Sequence, residues 1–381
     1  MVRESYARRQ AALTKAWQID NISTNKNAVP NSRTLTNARN CGAFPTTHHA
    51  GDNNMTPWIH TLRATALAPL LALSLAAASA SVQAAYPDRP IRIVVPYPPG
   101  GGADIMARLI GQKLTEAWGQ AVVIDNRPGA DTQIGTEAVA KSAADGYTLG
   151  IVTPTIAINK YLYPRAGYDM ARDLRPVAMV ASSPFFFVVN PSVEAKTLAE
   201  FIALVKRNPT TFNYSSSSSI AFIAHESFRK AVGIEARHIP YKGSAPSVAA
   251  VLSGEVQYTM DTLLITKPLI EGGKLRALAI SSKQRHPDSP NIPTMDEAGA
   301  KGFEFFTWYG FVAPAAVPND IVVKFNQEVV KILALPDVKK KIESLGGVVL
   351  PMPPEGFAAQ LQSDLVKYGD IIRATNLAPM N

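Results

Sequence analysis

From residue 91 onward, short runs of apolar and β-branched residues alternate with stretches whose apolar positions recur at helical spacing. Residues 91–97 (IRIVVPY) read as a near-continuous apolar strand. After the turn PPGGG, the positions Ile105, Met106, Leu109, Ile110 and Leu114 share one helical face. The unit then repeats, with residues 121–128 (AVVIDNRP) as strand, 129–135 (GADTQIG) as turn, and a helix through Thr136 and Ala140. Residues 147–153 (YTLGIVT) make a third strand. This rhythm predicts an α/β fold on mostly parallel sheets, with ligand-contacting groups at the carboxyl ends of the strands.

A new apolar run, FFFVVNP at 185–191, follows Ser182, Ser183 and Pro184 and marks the expected start of a second lobe. Thr197 and Glu200 fit a capping box opening a helix to Arg207, and Ser244 with Pro246 starts another. Residues 275–281 (LRALAIS) read as a later strand, and 303–314 (FEFFTWYGFVAP) as the return crossover. Helical patterns at 320–333, 337–345 and 354–373 finish the chain and are expected to pack back on the first lobe. The predicted organisation is lobe one at 85–183 and 309–381 and lobe two at 184–308. Two hinge crossovers would join them, a layout suited to closing on a ligand.

Upstream the pattern changes. Residues 64–80 (ATALAPLLALSLAAASA) are apolar or small and uncharged, preceded by Arg63 and followed by Val82, Gln83 and Ala84. This predicts a signal peptide at 55–84, initiated at Met55 and cleaved after Ala84 into the periplasm. A membrane anchor is the alternative, but the run falls short of the roughly 20 apolar residues a spanning helix needs. Residues 1–54 are polar and without hydrophobic period, and read as an over-extended start, with a disordered extension as the alternative.

Removing the leader alters the charge. The full chain has 38 Lys and Arg against 30 Asp and Glu, and residues 85–381 keep 30 against 27. That near-balance gives no footprint for nucleic acid. Cys41, the single cysteine, lies in the leader, so disulfides, thiolate metal sites and a cysteine lipid anchor are not expected in the secreted part.

Three turns at strand-to-helix junctions, at 98–104, 129–135 and 215–219, expose backbone N–H groups at the positive ends of helices, and none contains a basic residue. Such turns bind carboxylate or phosphate through the main chain. Any one of them is also ordinary punctuation, with Asp104 or Thr132 as a helix cap. Phosphate-loop and dinucleotide fingerprints are missing, as are H-E-x-x-H and G-x-S-x-G spacings, so no cofactor, metal or catalytic residue is expected. His225, beside the serine run, reads as a core or helix-surface histidine. Asp261, at the end of an apolar strand, reads equally as a ligand contact or a helix cap. Trp308 and Tyr309 suit either the cleft or hinge packing.

The blocks YPDRPIRIVVPYPPGGGADIMARLIGQKL, VVIDNRPGA, DGYTLGIVT, VNPSV, HIPYKGSAPSVAAVLSGEV and GKLRALAISSKQRHPDSPNIPTMDEAG resemble, in order and spacing, the Bug-type receptors of tripartite tricarboxylate transporters. The resemblance implies a two-lobed periplasmic binding protein fold of type II with a central ligand cleft. It also implies a small organic carboxylate ligand: a di- or tricarboxylate, an aromatic acid or an acidic amino acid. Membrane subunits of a transporter would be the partners of a monomeric receptor, without nucleic acid. The first two turns would hold the carboxylate, which nominates Tyr97, Gly101, Ala103 and Asp104, then Asp131, Thr132 and Gln133, with Thr153 ending the third strand. Lobe two contributes Ser217, Ser218, Ser219 and Asp261. Where relatives usually read N-R-P-G-A-G-G-N-I-G, this chain carries Asp131, Thr132 and Gln133. A sensor presenting ligand to a signalling partner, or an enzyme on the same scaffold, are the competing classes.

Overall fold

The strand–turn–helix rhythm is realised as β1 (Ile91–Val95), α1 (Gly102–Trp118), β2 (Val122–Asn126), α2 (Gln133–Ala140) and β3 (Thr148–Val152). The structure is a computed structural model that describes residues 86–380; the expected leader, its cleavage site and residues 1–54 lie outside the described residues. After α3 (Thr155–Leu162) and the short α4 (Met170–Asp173) comes β4 (Leu174–Val189). A second alternating series follows: α5 (Leu198–Arg207), β5 (Asn213–Ser216), α6 (Ser219–Val232), β6 (Arg237–Pro240), α7 (Ser244–Ser253), β7 (Tyr258–Thr262), α8 (Leu263–Glu271) and β8 (Arg276–Ile280). The chain returns through β9 (Phe306–Pro314) and ends with α9 (Asn319–Ala334), α10 (Pro336–Ser344), β10 (Val348–Met352) and α11 (Pro354–Thr375).

Ten strands form one curled mixed sheet in two halves. In the first, β2, β1 and β3 are parallel, β9 runs antiparallel to β3, and β4 antiparallel to β9. In the second, β6, β5 and β7 are parallel, and β7 and β8 pair antiparallel with β4. Residue alternation sorts side chains to the two faces of each half, where helices cover them. Ile91, Ile93 and Val95 join α1 and α9 in one core, while Val94 faces another with Phe357. Phe185, Phe187 and Val189 pack with Phe201, Tyr214 and Tyr258, and Phe186 and Val188 face the opposite layer.

Two expectations are corrected here. No new strand begins after Pro184: β4 is a single strand of 16 residues whose first part pairs with β9 and whose last five residues, from Phe185, pair with β7. The proline at 184 is tolerated at the point where pairing passes from one half to the other. Nor does the terminal helix belong to the first half alone. Phe357 and Leu361 of α11 pack on the first half, whereas Tyr368 and Ile372 enter the core of the second. Ser281 fastens the crossing segments: its buried Oγ accepts from Phe185 N (2.8 Å) and donates to Phe305 O (2.5 Å).

Candidate functional site

Six parallel strands, β1 to β3 in the first half and β5 to β7 in the second, deliver turns to one cleft. Within it, an inner pocket of about 50 Å³ adjoins an outer cavity of about 310 Å³. Tyr97, Pro98, Ser217, Ser218 and Gly243 line both, so the two spaces are continuous parts of one site.

The turn after β1 reaches the inner pocket by its main chain. Gly101 is the N-cap of α1 without any side-chain cap, and Gly101, Gly102 and Ala103 line the pocket. Only glycine fits at 102, where a Cβ would lie 2.2 Å from the Tyr309 hydroxyl. Tyr97 Oη and Thr153 Oγ1 are 2.7 Å apart at the wall, and burial pushes the Tyr97 phenol above its usual range. Asp104 is corrected: it does not face the cleft. Its Oδ2 accepts from Gly100 N (2.9 Å) and Arg108 Nε (3.0 Å), and its Oδ1 from Asn126 Nδ2 (2.9 Å). Burial opposes its ionisation, but these bonds outweigh burial and hold the carboxyl below its ordinary range. It braces the turn and leaves the amides to the pocket.

The turn after β2 is built differently. Ala130, Asp131 and Thr132 all have positive φ (45°, 46° and 78°), a rare run for non-glycine residues. It throws Asp131 across the cleft, where Oδ1 accepts from Ser219 N at 3.2 Å. The other oxygen, Oδ2, is shut off from solvent without a partner. Burial pushes this carboxyl upward, partly offset by Ser219 and Asn159. Asp131 and Thr132 line the outer cavity. Gln133 lines neither space and is the first residue of α2, so its place among the pocket residues is also corrected.

In the second half, Ser217 and Ser218 line both spaces and Ser219 the outer one; Ser219 Oγ donates to Asn159 Oδ1 at 2.9 Å. Asp261, 2% exposed, lines the inner pocket. Its Oδ1 accepts from Thr262 N (2.8 Å) and Ser244 Oγ (3.1 Å), while Oδ2 is buried without a partner. Burial raises this carboxyl to about 6, against the lowering pull of the Thr262 N–H and the Ser244 and Ser217 hydroxyls. Asp261 thus lines the pocket and holds the N–H of Thr262, the N-cap residue of α8, without itself capping that helix.

Several wall residues escaped the sequence reading. Gly243 and Ser244, opening α7, face the inner pocket, and a Cβ on Gly243 would lie 3.0 Å from Pro98 Cδ across the cleft. His238 lines the outer cavity, shares a 2.7 Å hydrogen bond between Nε2 and Ser216 Oγ, and is lowered by burial to about 4, hence neutral. Lys242, exposed, also lines that cavity, so the site is not free of basic residues. The GS following HIPYK was the signal available, a glycine just before a helix. His225 is a core residue: Nδ1 donates to Ala221 O (2.7 Å), Nε2 accepts from Met260 N (2.9 Å), and burial lowers it to about 3. Of the aromatic pair, Tyr309 lines the inner pocket, while Trp308 donates to Asp364 Oδ2 at 2.7 Å behind the sheet.

Comparison with known proteins agrees with this architecture. A solved R. palustris protein with adipate superposes with a TM-score of 0.76 at 34% identity, covering 77% of this chain and all of that one. The periplasmic binding protein BugD gives 0.74 at 29% identity over 77% of this chain and 100% of its own. MatC from Rhodopseudomonas palustris with bound malate gives 0.71 at 28%, over 75% and 100%. All three share the two-lobed α/β fold of this chain. The family profile described as tripartite tricarboxylate transporter family receptor matches residues 106–377, and the chain belongs to that family.

Proposed function

We propose that the protein is a periplasmic receptor that closes its two lobes around a small organic carboxylate and passes it, unchanged, to the membrane subunits of a tripartite tricarboxylate transporter. The observation that carries this reading is the convergence of helix N-termini on one cleft. The helices α1, α6, α7 and α8 begin at its wall, and Gly101, Ser218, Gly243 and Thr262 at their N-caps make no side-chain cap bond. First-turn N–H groups and the helix dipole favour an anion there. Adipate and malate bound to the two relatives are anions of this class.

On this reading the residues contacting ligand are Tyr97, Gly101, Ala103 and Thr153 from the first lobe's inner wall, Asp131 and Thr132 from its second turn, and Ser217, Ser218, Ser219 and Asp261 from the second lobe. The lobes divide at 183/184 and 308/309, the signal peptide is removed after Ala84, and the receptor acts as a monomer. A thermal-shift screen against organic acids tests the core of it, because a ligand that binds only the native state raises the melting temperature. Recovered ligand should be chemically intact; turnover beyond one product per protein would place the protein among enzymes instead.

A further inference from the structure

The carboxylate-receptor reading leaves the ligand's second end undefined, and two side chains of the chain itself narrow it. Asp131 Oδ1 sits on Ser219 N, so the first N–H of α6, a helix of 14 residues, is taken from across the cleft by the protein's own carboxylate. Asp261 Oδ1 accepts locally from Thr262 N, the N-cap residue of α8, and so places a carboxylate beside that helix start. The helix starts α1, at Gly102 and Ala103, and α7, at Gly243 and Ser244, carry no such carboxylate on their first N–H groups among the described residues and line the same inner pocket. Asp261 lines this inner pocket and Asp131 the outer cavity beside it, each with a buried Oδ2 that has no hydrogen-bond partner among the described residues.

Resting on the receptor reading, we infer that the preferred ligand is a monocarboxylate carrying a hydrogen-bond donor, a hydroxyl or an ammonium, and that Asp131 is the residue selecting against dicarboxylates. A second carboxylate reaching the outer cavity would meet Asp131, which already takes the first N–H of α6 there. Like charges at close range in a partly dry site repel strongly. A donor there instead satisfies an acceptor whose burial is otherwise uncompensated. Lys242 does not cancel the effect, because it is exposed and screened by solvent. The chain thus differs in preference from its adipate-bound relative while sharing its fold.

Calorimetry on the full-length protein tests this with matched acids: adipate, 6-hydroxyhexanoate and 6-aminohexanoate, then succinate, 4-hydroxybutanoate and 4-aminobutanoate. In the wild type, a donor-bearing acid should bind about tenfold or more tighter than the dicarboxylate of its length. Asp131→Asn, tolerated at positive φ, and Asp131→Gly should both shrink or reverse that ratio by a similar factor, with ligand-free melting temperatures confirming that each is folded. The hydroxyl and ammonium arms report which donor is used. If the wild type takes the dicarboxylate equally well and neither variant changes the ranking, the inference falls and the receptor reading stands. If none of the six acids binds the wild type or either variant at millimolar concentration, the inference falls, while the carboxylate-receptor reading falls only if the wider thermal-shift screen of organic acids is also blank.

Discussion

The turns after β1 and β2 share one sequence grammar, a strand, then glycine, then an aspartate near the start of the next helix, and put their aspartates to opposite uses. Asp104 accepts hydrogen bonds from Gly100, Arg108 and Asn126 and turns away from the cleft. Asp131, held by a left-handed backbone run, spans the cleft with one oxygen bonded and the other bare. The difference lies in what else is within reach. Asn126 at the end of β2 and Arg108, one turn beyond Asp104 in α1, enclose the first carboxylate, whereas the second has Ser219 and Asn159 beside it. A satisfied aspartate shapes a turn; an unsatisfied one marks where a ligand's polar group belongs.

Charge removal should separate the two kinds of aspartate most strongly at Asp261, the other bare carboxylate. A carboxyl raised on folding from 3.8 to about 6 makes the native state bind protons more tightly than the unfolded chain. Stability is then greatest at low pH, falls as pH rises between those values, and is flat above them. Asp261→Asn should relieve a penalty on the order of 3 kcal/mol at neutral pH, with the gain vanishing below the ordinary carboxyl range. Denaturant melts across pH measure it, and a destabilised variant at neutral pH would show that Oδ2 is satisfied after all.

Asp104 has the opposite sign. Its carboxyl is depressed in the folded state, so its contribution is present above the unfolded value near 3.8 and is lost as pH falls through the lower folded one. Asp104→Ala should cost about 2 kcal/mol, because Asn126 and Gly100 lose a charged acceptor while the half-exposed Arg108 is compensated by water. Ligand ranking should not change, since the side chain does not face the pocket. Equal stability with altered ranking would reverse the assignment of the two turns.

At the crossover, Ser281→Ala removes one hydroxyl that serves Phe185 N and Phe305 O, and leaves that N–H buried without its partner. The expected loss is about 1–2 kcal/mol in stability, without change in ligand ranking. Chemical denaturation and the calorimetric panel together check it. A change confined to ranking would mean that the crossover sets cleft geometry rather than only fastening the strands.

Much of the architecture was legible because periodicity is a strong signal in α/β chains. The turn positions followed from glycines placed between a strand of period two and a helix of period 3.6. The passage of β4 through Pro184 was not legible, since a proline between apolar runs reads as a break and only pairing with β9 reveals continuity. Side-chain direction was equally hidden. Asp104 and Asp131 carry the same local context, and the left-handed φ run that separates them depends on contacts with Asn159 and α6 far along the chain. Gly243, Ser244 and His238 were not picked out as wall residues because their turn is short and has no glycine run, although tertiary folding brings it against Pro98.

The smallest effect is expected at Gln133, and it bears on how far the second turn's chemistry extends. Asp131 and Thr132 line the outer cavity, but one residue later the chain has entered α2, whose rise and turn carry the side chain away from the wall. The backbone N–H of Gln133 bonds to Ala130 O at 3.1 Å, a contact that alanine retains. Its side chain is half-buried and bonds to no other group among the described residues, so truncation leaves no buried partner stranded. Alanine also has the higher helix propensity, which offsets the small packing loss. Gln133→Ala should therefore change affinity for the best-bound acid by less than about twofold and stability by under about 0.5 kcal/mol. Thr132→Ala, one position earlier and facing the cavity, should lower affinity measurably in the same titration. A tenfold loss from Gln133→Ala would mean that α2 itself, and not only the turn before it, forms part of the ligand wall.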